Sequence, residues 1–365
     1  MATLYGKTYT RQELLQHVGD IAQLASLRPV ELVNGSERGV RALEFRTGSG
    51  FSFTLLQDRA LDIYDASHNG CALHWHAPAG AVAPAFHDPH DIGYLYFMAG
   101  GLLNTCGLTH AGPPEIDEEI DEELGMHGRI GAIPAKNVGY GAEWEEDEYV
   151  LWATAEMREA SLFGPNLLLR RSIYTRLGQS RLWIKDVVEN QGFDPAPLMF
   201  LYQCNIGFPV VSAGAELRAV INHVEPRDKE AEPHIDSFEQ VEAPAHPYAE
   251  QLFFVDHDPD ARGMVNVALV NPHHHDGNGL GVYLSYPKAE LPYYTHWKML
   301  DKGVNIIGMA PGNCLPEGRS SARHNDRLKI IAPGESVTFH LELGVLGNQQ
   351  DLAAFETRLQ EPQAE

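Results

Sequence analysis

Basic residues are scarce in this 365-residue sequence: 27 Lys and Arg stand against 50 Asp and Glu, which gives a formal net charge of −23. An electrostatic field of that sign repels phosphate groups, so we expect neither nucleic acid nor an anionic membrane as a partner. The sequence also lacks a run of about 18 apolar residues, which a membrane-spanning helix would need, and its N-terminus has no signal-peptide pattern. These absences predict a cytoplasmic protein.

Cysteine is equally sparse. The four residues, Cys71, Cys106, Cys204 and Cys314, are far apart and form no C-x-x-C pair. A zinc ribbon, an iron–sulfur cluster and a dense disulfide framework are therefore not expected. With 44% hydrophobic residues, a chain of this length can bury a large core without such supports.

Helical periodicity is rare, and short apolar runs separated by turn residues take its place. The runs Gly39–Arg46 and Phe51–Gln57 flank a glycine-rich turn, and Asn166–Arg176 and Arg181–Asn190 flank another. A last long run covers Leu328–Val345. Paired runs of this kind, together with 34 Gly and 23 Pro, favour antiparallel β-structure over alternating strands and helices. We therefore expect an all-β fold.

The two ends of the chain differ from its middle. Thr10 followed by Glu13 is a capping box, which predicts a short N-terminal helix. The segment after residue 347 has apolar residues at a spacing that fits a short C-terminal helix. The sequence thus divides into a helical extension at residues 1–30, a large domain at 31–347 and a tail at 348–365.

One acidic run interrupts the middle of the chain. Seven of the eleven residues in Pro114–Leu124 are Asp or Glu. Because like charges repel one another and favour hydration, we predict a solvated loop here.

Histidine is plentiful, with 18 residues, and two of them have the spacing of metal ligands. His74 and His76 are two residues apart, which on a strand places both imidazoles on one side. His87, His90 and Asp91 add ligand types nearby, and imidazole with carboxylate suits zinc, manganese or iron. Spacing fixes no third ligand, so the sequence predicts no metal or other cofactor and leaves a metal site as an alternative.

Several segments contain side chains that bind hydroxyl groups. Gln203 and Asn205 are two apart on a predicted strand and therefore share a face. A sugar site needs such amides, charged groups and an aromatic ring, because hydroxyls need polar partners and an apolar sugar face packs on a ring. Further candidates lie in separate segments: Arg59, Asn104, His127 with Arg129, Glu250, His296 with Lys298, and Glu317 with Arg319.

Taken together and in order, six segments resemble the aldose 1-epimerase (galactose mutarotase-like) superfamily, and within it the DUF4432 branch. The resemblance implies a large twisted antiparallel β-sandwich of the galactose mutarotase type, with a carbohydrate bound on its concave face. The segments that carry it are Asp58–Ile63, Gly100–Leu108, His127–Ile130 with Pro134 and Ala135, Leu201–Pro209, Glu250 with Gln251, and Pro311–Cys314 with Glu317–Arg319.

The chemistry that the resemblance implies is the interconversion of sugar anomers. An acid protonates the ring oxygen while a base deprotonates the anomeric hydroxyl, and the opened ring then closes on the other face. The resemblance places the acid at Gln203 and the base at Ala310, and neither of these side chains transfers a proton. Three explanations stay open: a relocated catalytic pair, a different sugar isomerisation, or sugar binding without catalysis.

As an enzyme, the chain is expected to be an aldose 1-epimerase-like isomerase of a free sugar or an acidic sugar derivative. His127 is the expected acid, and Glu317 or Glu250 the expected base. The alternatives are a non-catalytic sugar-binding protein and a metal-dependent sugar isomerase or epimerase. The one partner expected is a small-molecule carbohydrate, and a homodimer is an assembly that the sequence allows. The expected substrate-binding residues are Arg59, Asn104, Arg129, Gln203, Asn205, Lys298 and Arg319, of which Arg129, Lys298 and Arg319 would hold an anionic substituent.

Overall fold

The computed structural model of the protein describes residues 1–361, and most of this part of the chain is organised into β-strands and their connecting turns. In chain order, the strands are β1 Ala2–Leu4, β2 Lys7–Tyr9, β3 Ser26–Glu31, β4 Arg41–Arg46, β5 Phe51–Leu56, β6 Asp62–His68, β7 Cys71–Ala72, β8 Asn104–Leu108, β9 Glu115–Asp117, β10 Glu122–Leu124, β11 Lys136–Glu145, β12 Glu148–Ala160, β13 Asn166–Arg176, β14 Arg181–Asn190, β15 Ala196–Ile206, β16 Glu216–Ala219, β17 Ile221–Pro226, β18 Gln251–His257, β19 Met264–Asn271, β20 Leu280–Pro287, β21 Tyr293–Asp301, β22 Val304–Gly312, β23 Lys329–Ile331 and β24 Ser336–Leu346.

The helices are short and lie at the margins of the sheets. The predicted capping box is present: the Glu13 amide donates to the Thr10 hydroxyl at 3.2 Å, and the Thr10 amide donates to the Glu13 carboxylate at 2.8 Å. Within residues 1–361, none of the helices has the length and apolarity that crossing a bilayer requires. The helices are α1 Arg11–Leu15, α2 Tyr94–Phe97, α3 His274–Gly277, α4 Arg319–His324 and α5 Gln349–Leu359.

Three large antiparallel sheets carry the fold. The eight-stranded sheet has the order β11-β12-β13-β14-β24-β20-β19-β16. The seven-stranded sheet has the order β17-β18-β21-β22-β15-β23, with β8 also pairing with β15. A five-stranded sheet runs in simple order from β3 to β7. In this meander, strands that are neighbours in the chain are also neighbours in the sheet. A hairpin such as β4–β5 can therefore be predicted from the local sequence.

The eight- and seven-stranded sheets enclose one large apolar core, which also receives side chains from the five-stranded sheet. Phe200 of β15 and Phe339 of β24 stack across this core with ring centroids 4.8 Å apart. The alternation of buried and exposed residues along β13, β14 and β24 is the pattern of strands with one face in a core. The expected all-β sandwich is thus confirmed.

A buried guanidinium connects the three sheets at the centre of the molecule. Arg171 of β13 donates to Asp186 at 2.7 Å, to Asp62 of β6 at 2.8 Å and to the Ala60 carbonyl at 3.0 Å. Tyr202 of β15 donates its hydroxyl to the same Asp186 at 2.7 Å. Burial alone would lower the pKa of Arg171, but Asp186 and Asp62 outweigh burial and raise it.

Three sequence-based expectations need correction. The N-terminal segment is only partly helical, because a β1–β2 hairpin precedes α1 and β3 pairs with β4. The run Leu328–Val345 is two strands, β23 and β24, because a turn at Pro333 and Gly334 separates them. The acidic run is not simply a solvated loop: it forms the β9–β10 hairpin, and its Asp117 is fully buried against Arg319 and Arg323.

The tail contains α5, whose Leu352 and Phe355 are buried against β19 and β20 side chains. Asn348 caps this helix by accepting from the Asp351 amide at 3.0 Å. The division of the chain into three parts stays a prediction.

Replacing Arg171 with Met should lower the free energy of unfolding by about 3–5 kcal/mol, because two buried carboxylates would lose their cation. The matched control is Arg170→Met on the outward side of the same strand. Arg170 pairs with Glu156 and Glu189 in solvent, where such pairs contribute at most about 1 kcal/mol. Urea unfolding of the three proteins measures both changes, and equal losses in the two variants would contradict the central role of Arg171.

Candidate functional site

The outer face of the seven-stranded sheet carries two adjacent amides. Gln203 and Asn205 of β15 point to this face, where Gln203 is half-buried and Asn205 is fully buried, whereas Tyr202 and Cys204 point into the core. The Gln203 side-chain amide donates to the Asn205 side-chain oxygen at 3.2 Å. Asn205 in turn donates to the Gly101 carbonyl at 3.3 Å, so its orientation is fixed by the backbone.

Gln203 belongs to a row of side chains that crosses four strands at one level. It pairs with Asn104 of β8, while Thr295 of β21 pairs with Ala310 of β22. The register between β15 and β22 runs from Leu201 opposite Gly312 to Cys204 opposite Met309, which places Gln203 beside Ala310. The two positions that the resemblance assigns to acid and base are therefore neighbours on one face.

Two polar atoms in this row have no protein partner. The Asn104 side-chain nitrogen and the Thr295 hydroxyl are buried, and neither makes a hydrogen bond among the described residues. Buried polar atoms are normally satisfied, so such a pair marks a place where a ligand or water completes the bonding. The methyl group of Ala310 lies between Thr295 and Gln203 and adds no polar atom.

An aromatic ring lies at the next level of the same face. Trp297 of β21 pairs with Gly308 of β22, which also pairs with Asn205. A Cβ at Gly308 would lie 2.9 Å from the Trp297 ring and would overlap the Gln203 amide, so only glycine lets the two side chains meet there. We call Asn104, Gln203, Asn205, Thr295 and Trp297 the polar face.

Glu250 holds the Trp297 ring in place. The indole N–H donates to one Glu250 oxygen at 2.8 Å, and Arg227 donates to the other at 3.0 Å. This exposed carboxylate, expected as a base, therefore has both oxygens in hydrogen bonds at the edge of the polar face. Its contacts are those of a positioning group for the aromatic ring.

A narrow cleft of about 10 Å³ adjoins the polar face at Asn104, with space for about one water molecule or one ligand oxygen. Arg59 is the cation of this cleft. Its guanidinium carbon lies 3.7 Å from the centre of the Phe97 ring, its Nε donates weakly to the Gly131 carbonyl at 3.5 Å, and its buried Nη1 has no partner. Burial lowers the pKa of Arg59 to about 10, and nearby Asp62 opposes that effect. The residues lining the cleft include Arg59, His87, Tyr94, Phe97, Asn104 and His127.

His127 lies in the same cleft, with its ring edge-on to Tyr94 at 5.0 Å between ring centroids. Its Nδ1 is buried and unpartnered. Burial, with a smaller effect of His110, lowers the pKa of His127 to about 4. At neutral pH the imidazole is therefore uncharged, so one ring nitrogen can donate a hydrogen bond and the other can accept one, but the ring carries no imidazolium proton to give to a sugar.

The remaining predicted cations are not on the polar face. Lys298 faces the opposite side of β21 from Trp297 and is fully buried, where its ammonium donates to the Gln240 carbonyl at 2.7 Å and lies 3.1 Å from Glu242. Burial lowers the pKa of Lys298, although Glu242 counteracts it. Arg319 is also fully buried, 2.8 Å from Asp117 and 2.6 Å from Glu122.

Two further predicted residues make ion pairs of their own. Glu317 accepts from Arg327 at 2.7 Å, and the exposed Arg129 lies 3.6 Å from Glu122. The structure thus brings Asn104, Gln203 and Asn205 together on the polar face, with Glu250 at its edge and Arg59 and His127 in the adjoining cleft. Lys298, Arg319, Glu317 and Arg129 are placed elsewhere, and their roles in binding or catalysis stay predictions.

Sequence reasoning missed Trp297, Thr295 and Tyr94. The alternation in His296–Lys298 contained a usable signal, because a strand that buries His296 and Lys298 must present Trp297 on its other face. Thr295 and Tyr94 had no local signal: Thr295 reaches the site through the pairing of β21 with β22, and Tyr94 through the contact of α2 with His127.

A family model described as a domain of unknown function, DUF4432, matches residues 37–345. Among solved structures, the chain is similar to one provisionally assigned as an aldose 1-epimerase from Klebsiella pneumoniae, with a TM-score of 0.86, 21% identity, and coverage of 93% of this chain and 90% of that one. A galactose mutarotase-like protein from Clostridium acetobutylicum gives a TM-score of 0.59 at 13% identity, covering 88% of this chain and 99% of that one. At these identities the likeness shows the fold. No curated protein sequence matches this chain.

His127→Gln should reduce the loss of stability on mild acidification. The His127 pKa is about 4 in the folded state and about 6.5 when unfolded, so the unfolded state binds more protons as pH falls through this window and folding is disfavoured. Glutamine cannot be protonated, so the drop in the free energy of unfolding between about pH 7 and pH 5 should be smaller in the variant.

The control is His223→Gln on the exposed side of β17, which should leave that drop unchanged. Urea titrations at the two pH values give the numbers. A drop that is the same in His127→Gln as in the wild type would show that His127 is not held neutral by its surroundings.

Proposed function

The chain belongs to the DUF4432 family, and we propose that it binds a monosaccharide or an acidic monosaccharide derivative on the polar face, without proton transfer by Gln203 and Ala310. One observation carries the proposal: Asn104 and Thr295 have unpartnered polar atoms on either side of Gln203 and Ala310, beside the ring of Trp297. Polar groups of this kind beside an aromatic surface match the hydroxyls and the apolar face of a sugar ring.

The rigidity of this surface supports binding. The Asn205 amide is held by the Gly101 carbonyl, and the Trp297 indole is held by Glu250, so both are oriented before a ligand arrives. Groups fixed in advance lose less conformational entropy on binding than mobile ones. The edge of a pyranose ring that faces Gln203 would meet amide donors and acceptors, and its flat side would lie on the indole.

Arg59 supports an acidic substituent on the ligand. Its unpartnered Nη1 lies in the cleft next to Asn104, where one oxygen of a carboxylate, sulfonate or phosphate would fit. A buried guanidinium that lacks a carboxylate partner is costly unless an anion completes it. Lys298 and Arg319 are already paired with carboxylates of the protein. Arg59, and neither of these two residues, is therefore the cation that we propose to bind the acidic group of the ligand.

Ring opening by an aldose 1-epimerase-like mechanism is the second candidate. The unpartnered Nδ1 of His127 in the cleft favours it, because this ring nitrogen can exchange a proton with a bound hydroxyl. The His127 pKa of about 4 weighs against it, because it makes the imidazole a weak base that carries no acidic proton at neutral pH. The carboxylates weigh against it. Glu250 and Glu317, the expected bases, are each hydrogen-bonded to an arginine, and Asp62 accepts from Arg171 and from both donors of Thr105.

Binding should depend on Trp297. Isothermal titration with D-galactose, D-glucose and their uronic acids should give saturable binding of at least one sugar, more tightly for an acid than for its neutral parent. Trp297→Ala should weaken that binding about tenfold or more, since stacking on an aromatic ring contributes roughly 1.5 kcal/mol.

The matched control is Trp152→Ala. Trp152 lies on β12 in the eight-stranded sheet and donates its indole N–H to Glu143 at 3.0 Å, much as Trp297 donates to Glu250. This variant should bind as the wild type does. Equal weakening in the two variants would sink the assignment of the polar face as the binding surface.

Turnover separates the two candidates. Saturation-transfer NMR between the anomeric protons of the bound sugar measures anomer exchange, and we expect the wild-type protein to leave the exchange rate at its value in buffer, because Gln203 and Ala310 transfer no proton. Exchange that is faster with the protein and returns to the buffer rate in His127→Gln would instead establish the second candidate, with His127 as its acid–base group.

A further inference from the structure

A cluster of one carboxylate and two imidazoles, none of which belongs to the polar face, lies against the five-stranded sheet. Asp65 belongs to β6, and His74 and His76 follow β7 in the segment that leads out of the same hairpin. The hairpin turns at Asn69 and Gly70, both with positive φ, which is the backbone that an Asn-Gly turn adopts. This tight turn determines which residues of the two arms lie side by side.

The register of the hairpin brings Asp65 next to His74. Ser67 pairs with Ala72, and the Leu73 amide continues the ladder by donating to the Ala66 carbonyl at 3.0 Å. Extending that register by one pair puts Asp65 across from His74 on the same side of the ribbon. His76 is two residues further on and so returns to that side.

A bulge on the other side of β6 shapes the same surface. The register with β5 shifts between Thr54 opposite Asp65 and Leu55 opposite Ile63, which leaves Tyr64 as an extra residue. Tyr64 and Asp65 consequently both reach the outer surface. The Tyr64 ring stacks on the His76 imidazole with centroids 4.2 Å apart and planes 15° from parallel, and so holds that imidazole beside Asp65.

The ligand atoms have the separations of a metal coordination shell. One oxygen of Asp65 lies 3.4 Å from Nε2 of His74 and 3.3 Å from Nε2 of His76, and all three lie within 4.8 Å of one another. Zinc bonds of about 2.0–2.1 Å to nitrogen or oxygen give a tetrahedron whose ligand atoms are roughly 3.3–3.4 Å apart. The two distances that involve Asp65 match this edge length.

The surroundings of His74 favour the same arrangement. Its Nδ1 lies 2.9 Å from the Ala66 carbonyl, and a hydrogen bond from Nδ1–H to that oxygen would leave the lone pair of Nε2 directed at Asp65. A carbonyl partner on the far ring nitrogen is the usual second support of a metal-binding histidine. His76 and Asp65 are partly exposed, so water can reach the remaining coordination position.

We propose that Asp65, His74 and His76 form a binding site for a divalent first-row transition-metal ion, for which zinc is the natural probe. The donor set of two neutral imidazoles and one carboxylate is one that zinc, manganese and iron accept. A bound ion would fasten the segment after β7 to β6. That segment also reaches the seven-stranded sheet, since the Trp75 amide donates to the Asn205 carbonyl at 3.2 Å.

The competing arrangement is an ion pair without metal. The Ala66 amide also lies within hydrogen-bond distance of His74 Nδ1, at 3.1 Å, and if it donates there the Nε2–H of His74 points at Asp65 instead. In the ion pair, Nε2 of His74 carries a proton, whereas in the metal site the metal takes the place of that proton. They therefore make opposite predictions for metal binding.

The test uses untagged full-length protein dialysed against chelator and then titrated with zinc and, separately, with cobalt(II). Equilibrium dialysis with elemental analysis should give one bound zinc per chain, and cobalt should show the visible absorption of a low-coordinate nitrogen–oxygen site. Asp65→Asn and His76→Gln should each weaken zinc binding at least tenfold, with far-UV circular dichroism confirming that they are folded.

The control is His340→Gln. His340 is a partly exposed histidine 2.9 Å from Glu290, a pairing of imidazole and carboxylate without a second imidazole, and its loss should leave zinc affinity unchanged. Zinc-edge anomalous diffraction from wild-type crystals is a second measurement that needs no variant: its peak should lie between Asp65, His74 and His76. A peak elsewhere, no binding by the wild type, or equal affinity in Asp65→Asn and the wild type would overturn the site.

Discussion

The buried ion-pair network of Arg171 is the interaction on which the rest of the structure depends. Its guanidinium is buried, and its partners are Asp186 of the eight-stranded sheet, Asp62 of the five-stranded sheet and the Ala60 carbonyl. Both walls of the cleft attach to this network. Asp62 accepts from the amide and the hydroxyl of Thr105, which is the residue after Asn104, and the Ala60 carbonyl that Arg171 holds is next to Arg59. The position of the site is therefore set from the inside of the core.

The polar face, on which we propose that a sugar binds, has no proton-transferring side chain at its two central positions. Gln203 and Ala310 lie beside each other where the resemblance expects an acid and a base, and a glutamine keeps hydrogen bonding while an alanine removes it. Under the proposed function, Gln203 hydrogen-bonds a sugar without transferring a proton to it. The proposed site would discriminate between ligands through their fit to its fixed amides and its indole.

The sequence predicted the strands well wherever neighbours in the chain are neighbours in a sheet. Asn166–Arg176 and Arg181–Asn190 were foreseen with the bounds that the structure has, because turn residues and alternation mark local hairpins. Alternation also showed that His296 and Lys298 share a side, but it could not show that this side is the core. The acidic hairpin was mistaken for a solvated loop because its counter-charges, Arg319 and Arg323, lie about two hundred residues away in the chain. Long-range pairing, which composition does not encode, decided each of these cases.

The most direct test of the central claim is a crystal structure of the protein with the sugar that it binds most tightly. We predict electron density for the sugar over the polar face, with its ring against Trp297, hydroxyls within hydrogen-bond distance of Asn104 and Gln203, and any acidic group directed at Arg59. Density for the sugar at another surface, with the polar face covered only by solvent, would contradict the account.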